Sequence, residues 1–310
     1  MDELQEHPLV TLALFAYNQE RYIHQAIEAA FAQTYSPLEV ILTDDHSSDA
    51  TFSHMQAAAA AYIGPHTVRL NRNSRRLGVA GHVNKVDQLA QGVLVVAAAG
   101  DDISYPQRVT TIAEAWIEAG RPSALLHSAY DDMDLSGGIH GTLVRESPRG
   151  TKDTITSNVV TGATEAWSRR LFEVFGPISP CVTHEDRVLG TRAALLDGII
   201  YISRSLVAYR RGGISSQGSE TSRFERRRLA ARRYVADMAQ MICDLDLARQ
   251  KKLISDDSCN ALIAAANDRL ARELLLASTA SRNSGTKLIL LELPRVIRRI
   301  AFVIYRVIHR

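Results

Sequence analysis

Three acidic pairs hold most of the chemistry this chain could do: Asp44-Asp45 in VILTDDHSSDAT, Asp101-Asp102 in VVAAAGDDISYPQR and Glu185-Asp186 in THEDRVLGTR. The first two each follow an apolar, β-branched run of the length of a buried strand. Carboxylates at the C-terminal ends of such strands stand where open α/β sheets bind ligands. Oxygen ligands grouped there suit a divalent cation and a nucleotide, with one carboxylate left over to take a proton.

The elements that must position these pairs are legible over the first 110 residues. Val10–Ala16 (VTLALFA) reads as a strand ending at Tyr17-Asn18, and residues 20–32 carry apolar side chains at helical spacing. Ser36-Pro37 breaks the chain before a second strand over 39–43. Ser47, Ser48 and Asp49 are placed to cap the next helix, which runs through the alanines 57–61. A third strand is expected over 67–71, a glycine-containing loop over 76–81, a helix over 83–90 and a fourth strand over 93–99. This alternation implies a mostly parallel α/β sheet covered on both faces. Further on, 124–128 reads as a strand, with Asp131 to Asp134 and Gly137-Gly138 as a turn. Short helices follow at 170–175 and 185–196, then a strand at 199–202, and beyond Gly213 the pattern is helical almost to the end.

A chain of 310 residues suffices for one large α/β domain with an appendage. Its 46% apolar and 23% charged content is that of an ordinary globular protein. Cys181, Cys243 and Cys259 are far apart and form no CxxC pair, which favours reduced thiols over a disulfide framework. The acidic start MDELQEHPLV lacks a secretory pattern, so a cytoplasmic location is expected, with the inner face of the membrane as a refinement. Charge is divided along the chain. Residues 1–220 hold 18 Lys/Arg against 25 Asp/Glu, and residues 221–310 hold 18 against 9. That split suggests chemistry in the first part and association in the second.

Taken in order, VTLALFAYNQERYIHQAIEAAFAQTYSPLEVILTDDHSSDAT, LGVAGHVNK, AAGDDISYPQR and HED resemble the family 2 glycosyltransferases of the GT-A fold. The resemblance runs over roughly residues 8–215. It implies a GT-A domain over 1–218, with a mostly parallel mixed sheet flanked by helices, and leaves 219–310 as a basic helical extension. It further implies an inverting transfer from a nucleoside-diphosphate sugar, UDP-sugar favoured, to an acceptor hydroxyl in bacterial surface-polysaccharide or glycolipid assembly.

Site residues follow from the same resemblance. Asp101 and Asp102 would hold Mg2+ or Mn2+ on the donor diphosphate, one binding the metal while its neighbour contacts the ribose. Ala99 stands where the usual DxD begins with an acid. Asp44 corresponds to the base-recognition carboxylate, with Phe15, Ala16 and Tyr17 flanking the base. For Asp45, a charge interaction with a helix N-terminus competes with ligand contact. Arg75, Arg76 and Lys85 offer charge to the diphosphate or form a plain exposed basic loop. Asp186 corresponds to the general base, Glu185 and His184 stand on the acceptor side, and Arg192 could pair with either acid. Arg210 and Arg211, before Gly212-Gly213 and Ser215-Ser216, correspond to a segment that closes over the diphosphate.

The tail LILLELPRVIRRIAFVIYRVIHR, residues 288–310, carries a second signal. Apolar residues gather on one helical face and arginines on the other, as in a helix lying on an anionic membrane, which would suit a lipid-linked acceptor. The alternative is docking on the chain's own core or on a second copy in a homo-oligomer. Nucleic acid is disfavoured as a partner because the basic region lacks interleaved aromatics. GDD also marks palm-type polymerases, but there it sits on an antiparallel hairpin, whereas here it ends a predicted parallel strand. A nucleotidyltransferase would need a glycine-rich basic loop after the first strand, and FAYNQERY has none. A catalytically degenerate GT-A scaffold is the non-enzyme alternative.

Overall fold

The computed structural model describes residues 7–145, 150–157, 160–212 and 223–279. The expected alternation is present: β1 (Val10–Ala16), α1 (Ile23–Phe31), β2 (Leu38–Asp44), α2 (Thr51–Ala61), β3 (Thr67–Arg72), α3 (Gly78–Leu89) and β4 (Leu94–Ala99). There follow β5 (Ile103–Ser104), α4 (Arg108–Glu118), β6 (Leu125–Met133), β7 (Ile139–Leu143) and α5 (Thr151–Thr156). A 3-10 turn (Gly162–Thr164) leads to β8 (Ala166–Ser168), α6 (Arg170–Phe175), α7 (Glu185–Ala194) and β9 (Ile199–Arg210). Two long helices, α8 (Arg223–Gln250) and α9 (Asp256–Thr279), complete the described chain.

The sheet order is β3-β2-β1-β4-β8-β6-β9-β5, with β7 paired to β6. The four strands β3, β2, β1 and β4 are parallel, β8 is antiparallel to β4 and β6, and β6 runs parallel to β9. The sheet is therefore mixed, with long parallel pairings over β3-β2-β1-β4 and between β6 and β9 and short antiparallel ones elsewhere.

Period-two alternation divides the core between the two faces. Val10, Leu12, Leu14, Val40, Leu42, Val96 and Ala98 pack on one side with α1, α2 and α4. Ala13, Ile41, Val95 and Ala97 face the other side, where they meet α3, α6 and α7. Met238, Met241 and Leu245 of α8 and Cys259, Ala266 and Leu270 of α9 belong to this second cluster. The described part of the basic region therefore shares a core with the sheet.

Three expectations are corrected. Residues 131–133 continue β6 rather than turning, and the turn falls at Asp134–Gly138, where Asp134 Oδ1 accepts from the amides of Ser136 and Gly138. The strand expected over 199–202 extends to Arg210, because it pairs in parallel with β6 as far as Met133. Of the three residues expected to cap α2 only Asp49 serves, accepting from Thr51 N one residue ahead of the N-cap Ala50, while Ser47 is engaged by Asp44 and Ser48 by Asn18. No described helix is long and apolar enough to cross a membrane. Residues 288–310 lie outside the described part, as do Gly213, Ser215 and Ser216.

Candidate active site

The C-terminal ends of β1, β2 and β4 meet at one edge of the sheet. Ala16 is in register with Asp44, Phe15 with Ala99, and Gly100 N donates to Phe15 O at 2.8 Å. Parallel pairing of buried strands brings these residues together from three parts of the sequence. Asp44 is fully buried and holds the following turn: its carboxylate accepts from Ser47 N at 2.9 Å and from Ser47 Oγ, with Arg72 Nε at 3.4 Å. Asn18 lies at φ 51°, accepts from Ser48 N at 2.9 Å and thereby shapes the strand-to-helix turn. Asp45 accepts from Leu77 N at 2.8 Å and Gly78 N at 2.9 Å, so its helix-terminus interaction is with α3 and not with α2. Arg76 of the basic loop lies with its guanidinium 4.2 Å from the centre of the Tyr17 ring.

Gly100, just ahead of the Asp101-Asp102 pair, is closely surrounded. A Cβ there would lie 2.5 Å from Gln19 Oε1 and 3.1 Å from the Ala16 Cβ. Asp102 is buried; its Oδ1 accepts from Arg210 N at 2.8 Å, while Oδ2 has no hydrogen-bond partner. Burial first, then the neighbouring Asp101 charge, push the Asp102 carboxyl up to about 7. A buried, unpartnered carboxylate oxygen beside a second carboxylate fits a hard cation that takes its remaining ligands from phosphate and water. Among the described residues no group of three or more His, Cys, Asp or Glu forms a closed metal cage.

Arg210, expected in a segment that closes over the diphosphate, is the last residue of β9 and is buried. Its guanidinium donates to Asp101 O at 2.8 Å, Gln25 Oε1 at 2.7 Å and Asp134 O at 3.3 Å, and stacks 4.4 Å from the Tyr22 ring. It ties the Asp101-Asp102 turn to α1 and to the β6–β7 turn. Arg211 is exposed and pairs with Asp132.

The acceptor-side residues open α7, with His184 at the N-cap and Glu185 and Asp186 in the first turn, where carboxylates complement the helix dipole. Asp186 Oδ1 accepts from Arg187 N at 2.8 Å. His184 Nδ1 lies 2.5 Å from Oδ2 of Asp237, a fully buried residue of α8. The turn Gly162–Thr164 joins this group to the sheet. A Cβ at Gly162 would approach Glu185 Oε1 to 3.1 Å, and Ala97 N of β4 donates to Glu165 O at 3.0 Å. Glu165 is buried, and its Oε2 is unpartnered. Burial, then the charge of Asp186, push Glu185 up to about 8. Burial likewise raises Asp186, against the pull of Arg187 and His184. Glu165 is raised well above the ordinary range by burial and then by Glu185 and Asp186.

Arg192 does not pair with Glu185 or Asp186. Its Nε donates to Asp244 Oδ2 of α8 at 2.7 Å, because Arg192 lies further along α7, against that helix. Arg108, fully buried, donates to Ala97 O at 2.6 Å and Ala163 O at 3.0 Å, bracing β4 against the turn over Glu185. His82, bonded to Thr43 Oγ1 at 2.7 Å, is pushed down to about 4 by burial, against the opposing charges of Asp45 and Asp44. Arg108, His82, Glu165 and Asp237 were not singled out from sequence. Arg108 follows the GDD turn within one helical start and could have been read as its brace; the other three carry no local signal.

The family model "Glycosyl transferase family 2" matches residues 11–174. The succinoglycan biosynthesis protein ExoO of Rhizobium meliloti is 35% identical over 128 residues, covering 41% of this chain and 34% of that protein. The matches to this and similar curated relatives cover less than two thirds of their length, from 18% to 63%. S. aureus TarS in complex with UDP superposes with a TM-score of 0.60 at 14% identity, over 84% of this chain and 71% of that one. The mannosyltransferase PcManGT of Pyrobaculum calidifontis, in complex with GDP-Man and Mn2+, gives 0.53 at 18% identity, over 97% of this chain and 85% of that one. With more than half the chain matched by the family model and its sheet edge built as described, this chain belongs to glycosyl transferase family 2.

Proposed function

We propose that this chain is an inverting, metal-dependent glycosyltransferase that moves a sugar from a nucleoside-diphosphate sugar to an acceptor hydroxyl. The observation that carries the reading is the convergence of Asp44, Asp101-Asp102 and, through the 162–165 turn, Glu185-Asp186 at one sheet edge. Phe15, Ala16 and Tyr17 flank the nucleobase, which the buried Asp44 meets by exchanging its bond from Ser47 Oγ for one from the base. Asp101 and Asp102 would hold Mg2+ or Mn2+, which when bound supplies positive charge to the leaving diphosphate. The open Oδ2 of Asp102 supports that assignment. Arg210 fixes the metal-side turn, and the exposed Arg211 is the arginine free to reach the diphosphate once it leaves Asp132. Inversion is a single in-line displacement at the anomeric carbon, so one carboxylate must accept the acceptor's proton; Asp186 takes that role, flanked by Glu185 and His184.

ExoO by its name acts in succinoglycan biosynthesis, which supports a polysaccharide or glycolipid acceptor for this chain as well. TarS and PcManGT are seen with UDP and GDP-Man, which supports a nucleotide-sugar donor and leaves UDP and GDP as the first bases to try. A lipid-linked acceptor would suit contact of residues 288–310 with a membrane surface.

Calorimetry with UDP-, GDP-, dTDP- and CMP-sugars, with and without Mn2+, on wild type and Asp102→Ala tests the reading. Metal-dependent binding of one donor class, weakened at least tenfold in Asp102→Ala, is expected. Binding of no donor under either condition would sink it and leave a degenerate scaffold, a role the missing first acid at Ala99 would then explain.

A further inference from the structure

The geometry points to Asp237 as a positioning residue of the acceptor side, which clamps His184 and the turn ahead of α7 from a helix outside the family-matched stretch; the inference rests on the transferase reading above. Asp237 is fully buried on α8, beyond the matched residues 11–174. Its Oδ1 accepts from Thr183 N at 3.0 Å and His184 N at 3.4 Å, its Oδ2 is bonded to His184 Nδ1 at 2.5 Å, and Arg187 Nη1 stands 4.0 Å away. One carboxylate therefore grips the backbone immediately before Glu185-Asp186 and approaches the residue immediately after them.

Docking of α8 does not require this. Met238, Met241 and Leu245 supply the apolar contact, and the Arg192–Asp244 pair supplies a second ionic one between the same helices. An isolated buried carboxylate is costly unless its bonds are satisfied, and among the described residues the partners of Asp237 lie at the opening of α7. Because Nδ1 is committed to Asp237, the imidazole proton chemistry open to a ligand or to solvent is at Nε2, on a side chain 34% exposed. A protonated His184 also favours the ionised form of Asp186, the form a base must have. The charged and titratable groups around His184 are Asp237, Arg187, Glu185 and Asp186. Tyr234 of α8 lies 6.0 Å from its ring and is itself stacked by Arg187 and Arg269, the latter paired with Glu273 of α9.

The test compares wild type, Asp237→Asn, His184→Gln, the double variant, and Asp244→Asn as a structural control at the same helix pair. Nucleoside-diphosphate release from UDP-GlcNAc and GDP-Man, with water as acceptor, is followed against pH, alongside the downfield proton NMR spectrum. Expected are a ~10- to 100-fold fall in kcat for Asp237→Asn and for His184→Gln with donor KM within about twofold, and no further fall in the double variant. The acidic limb of kcat should move up in His184→Gln and stay in place in Asp244→Asn, although Asp244→Asn melts lower than wild type. The clamp is overturned if Asp237→Asn turns over within twofold of wild type, or if the two single losses multiply. If Asp237→Asn does not fold, His184→Gln, at the surface, carries the same comparison. A wild type that consumes neither donor leaves the transferase reading to the calorimetric donor panel above. The NMR spectrum then decides the clamp: a downfield imidazole proton lost in Asp237→Asn supports it, and its absence from wild type overturns it.

Discussion

Asp102 presents one bonded oxygen and one open one, and that asymmetry follows from Arg210 N reaching Oδ1 while nothing reaches Oδ2. Ahead of it, a methyl at Gly100 would have to move Gln19 and press on Ile23 and Ala16, so Gly100→Ala is expected to destabilise the fold by about 1–3 kcal/mol. Urea unfolding measures this, and an unchanged midpoint would refute the crowding. The acceptor carboxyls set a pH dependence whose sign can be derived. Burial raises Glu185 to about 8 and Asp102 to about 7, so the folded chain retains protons that the unfolded chain has released. Their contribution to stability is full below the unfolded carboxyl range and is lost as pH rises toward 8. Thermal melts should therefore give a higher Tm at pH 6 than at pH 8, by roughly 2 °C or more, with a smaller difference in Glu185→Gln. A Tm that rises with pH across this window, equally in both proteins, would contradict the assignment. In the same way, burial of Asp186 should set the acidic limb of turnover above the ordinary carboxylate range, and the limb should stay in place in Glu185→Gln, because Glu185, raised to about 8, is already neutral there.

At the scale of elements, the opening of α7 was legible as HED because the acids sit in a first helical turn, yet what surrounds them was not. The sequence offers Glu185 or Asp186 as the partner of Arg192, whereas the fold supplies Asp244, 52 positions away along the chain. Removing one member of this buried pair leaves an uncompensated charge, so Arg192→Met is expected to cost about 3–5 kcal/mol, and Arg192→Met with Asp244→Leu to recover most of that loss. A double-mutant cycle in denaturant reads the coupling, and additive losses would refute it. Strands β6 and β9 exceeded their expected lengths for a related reason. Their ends carry Asp131, Asp132, Arg204 and Arg210, which read as turn or surface, but parallel pairing of Met133 with Arg210 satisfies the backbone and keeps the run extended.

For the whole molecule, the charge division suggested a catalytic part followed by an associating one, but α8 and α9 complete the core on the α7 face of the sheet. A chain ending at residue 218 is therefore expected to aggregate or melt broadly, because the partners of Met238, Met241, Leu245 and Leu270 would be uncovered. A soluble truncation with a sharp melt and full donor binding would show that the first part stands alone. The basic tail has its own check: sedimentation with phosphatidylserine vesicles, with and without residues 288–310, should lose most of its bound fraction on deletion if the tail lies on a membrane.

The sequence by itself determined the α/β alternation, the mostly parallel sheet and the places of Asp44, Asp101, Asp102 and Glu185-Asp186 at element ends. Those features are written locally, in strand-length apolar runs, helical spacing and acids just past each run. Tertiary structure alone decided that Asp45 serves α3, that Arg210 braces the Asp101-Asp102 turn, and that Glu165 and Asp237 surround the HED opening. Each of those depends on a buried polar group finding a partner far along the chain. Burial makes such a partner obligatory, but packing, not spacing, decides which residue it is.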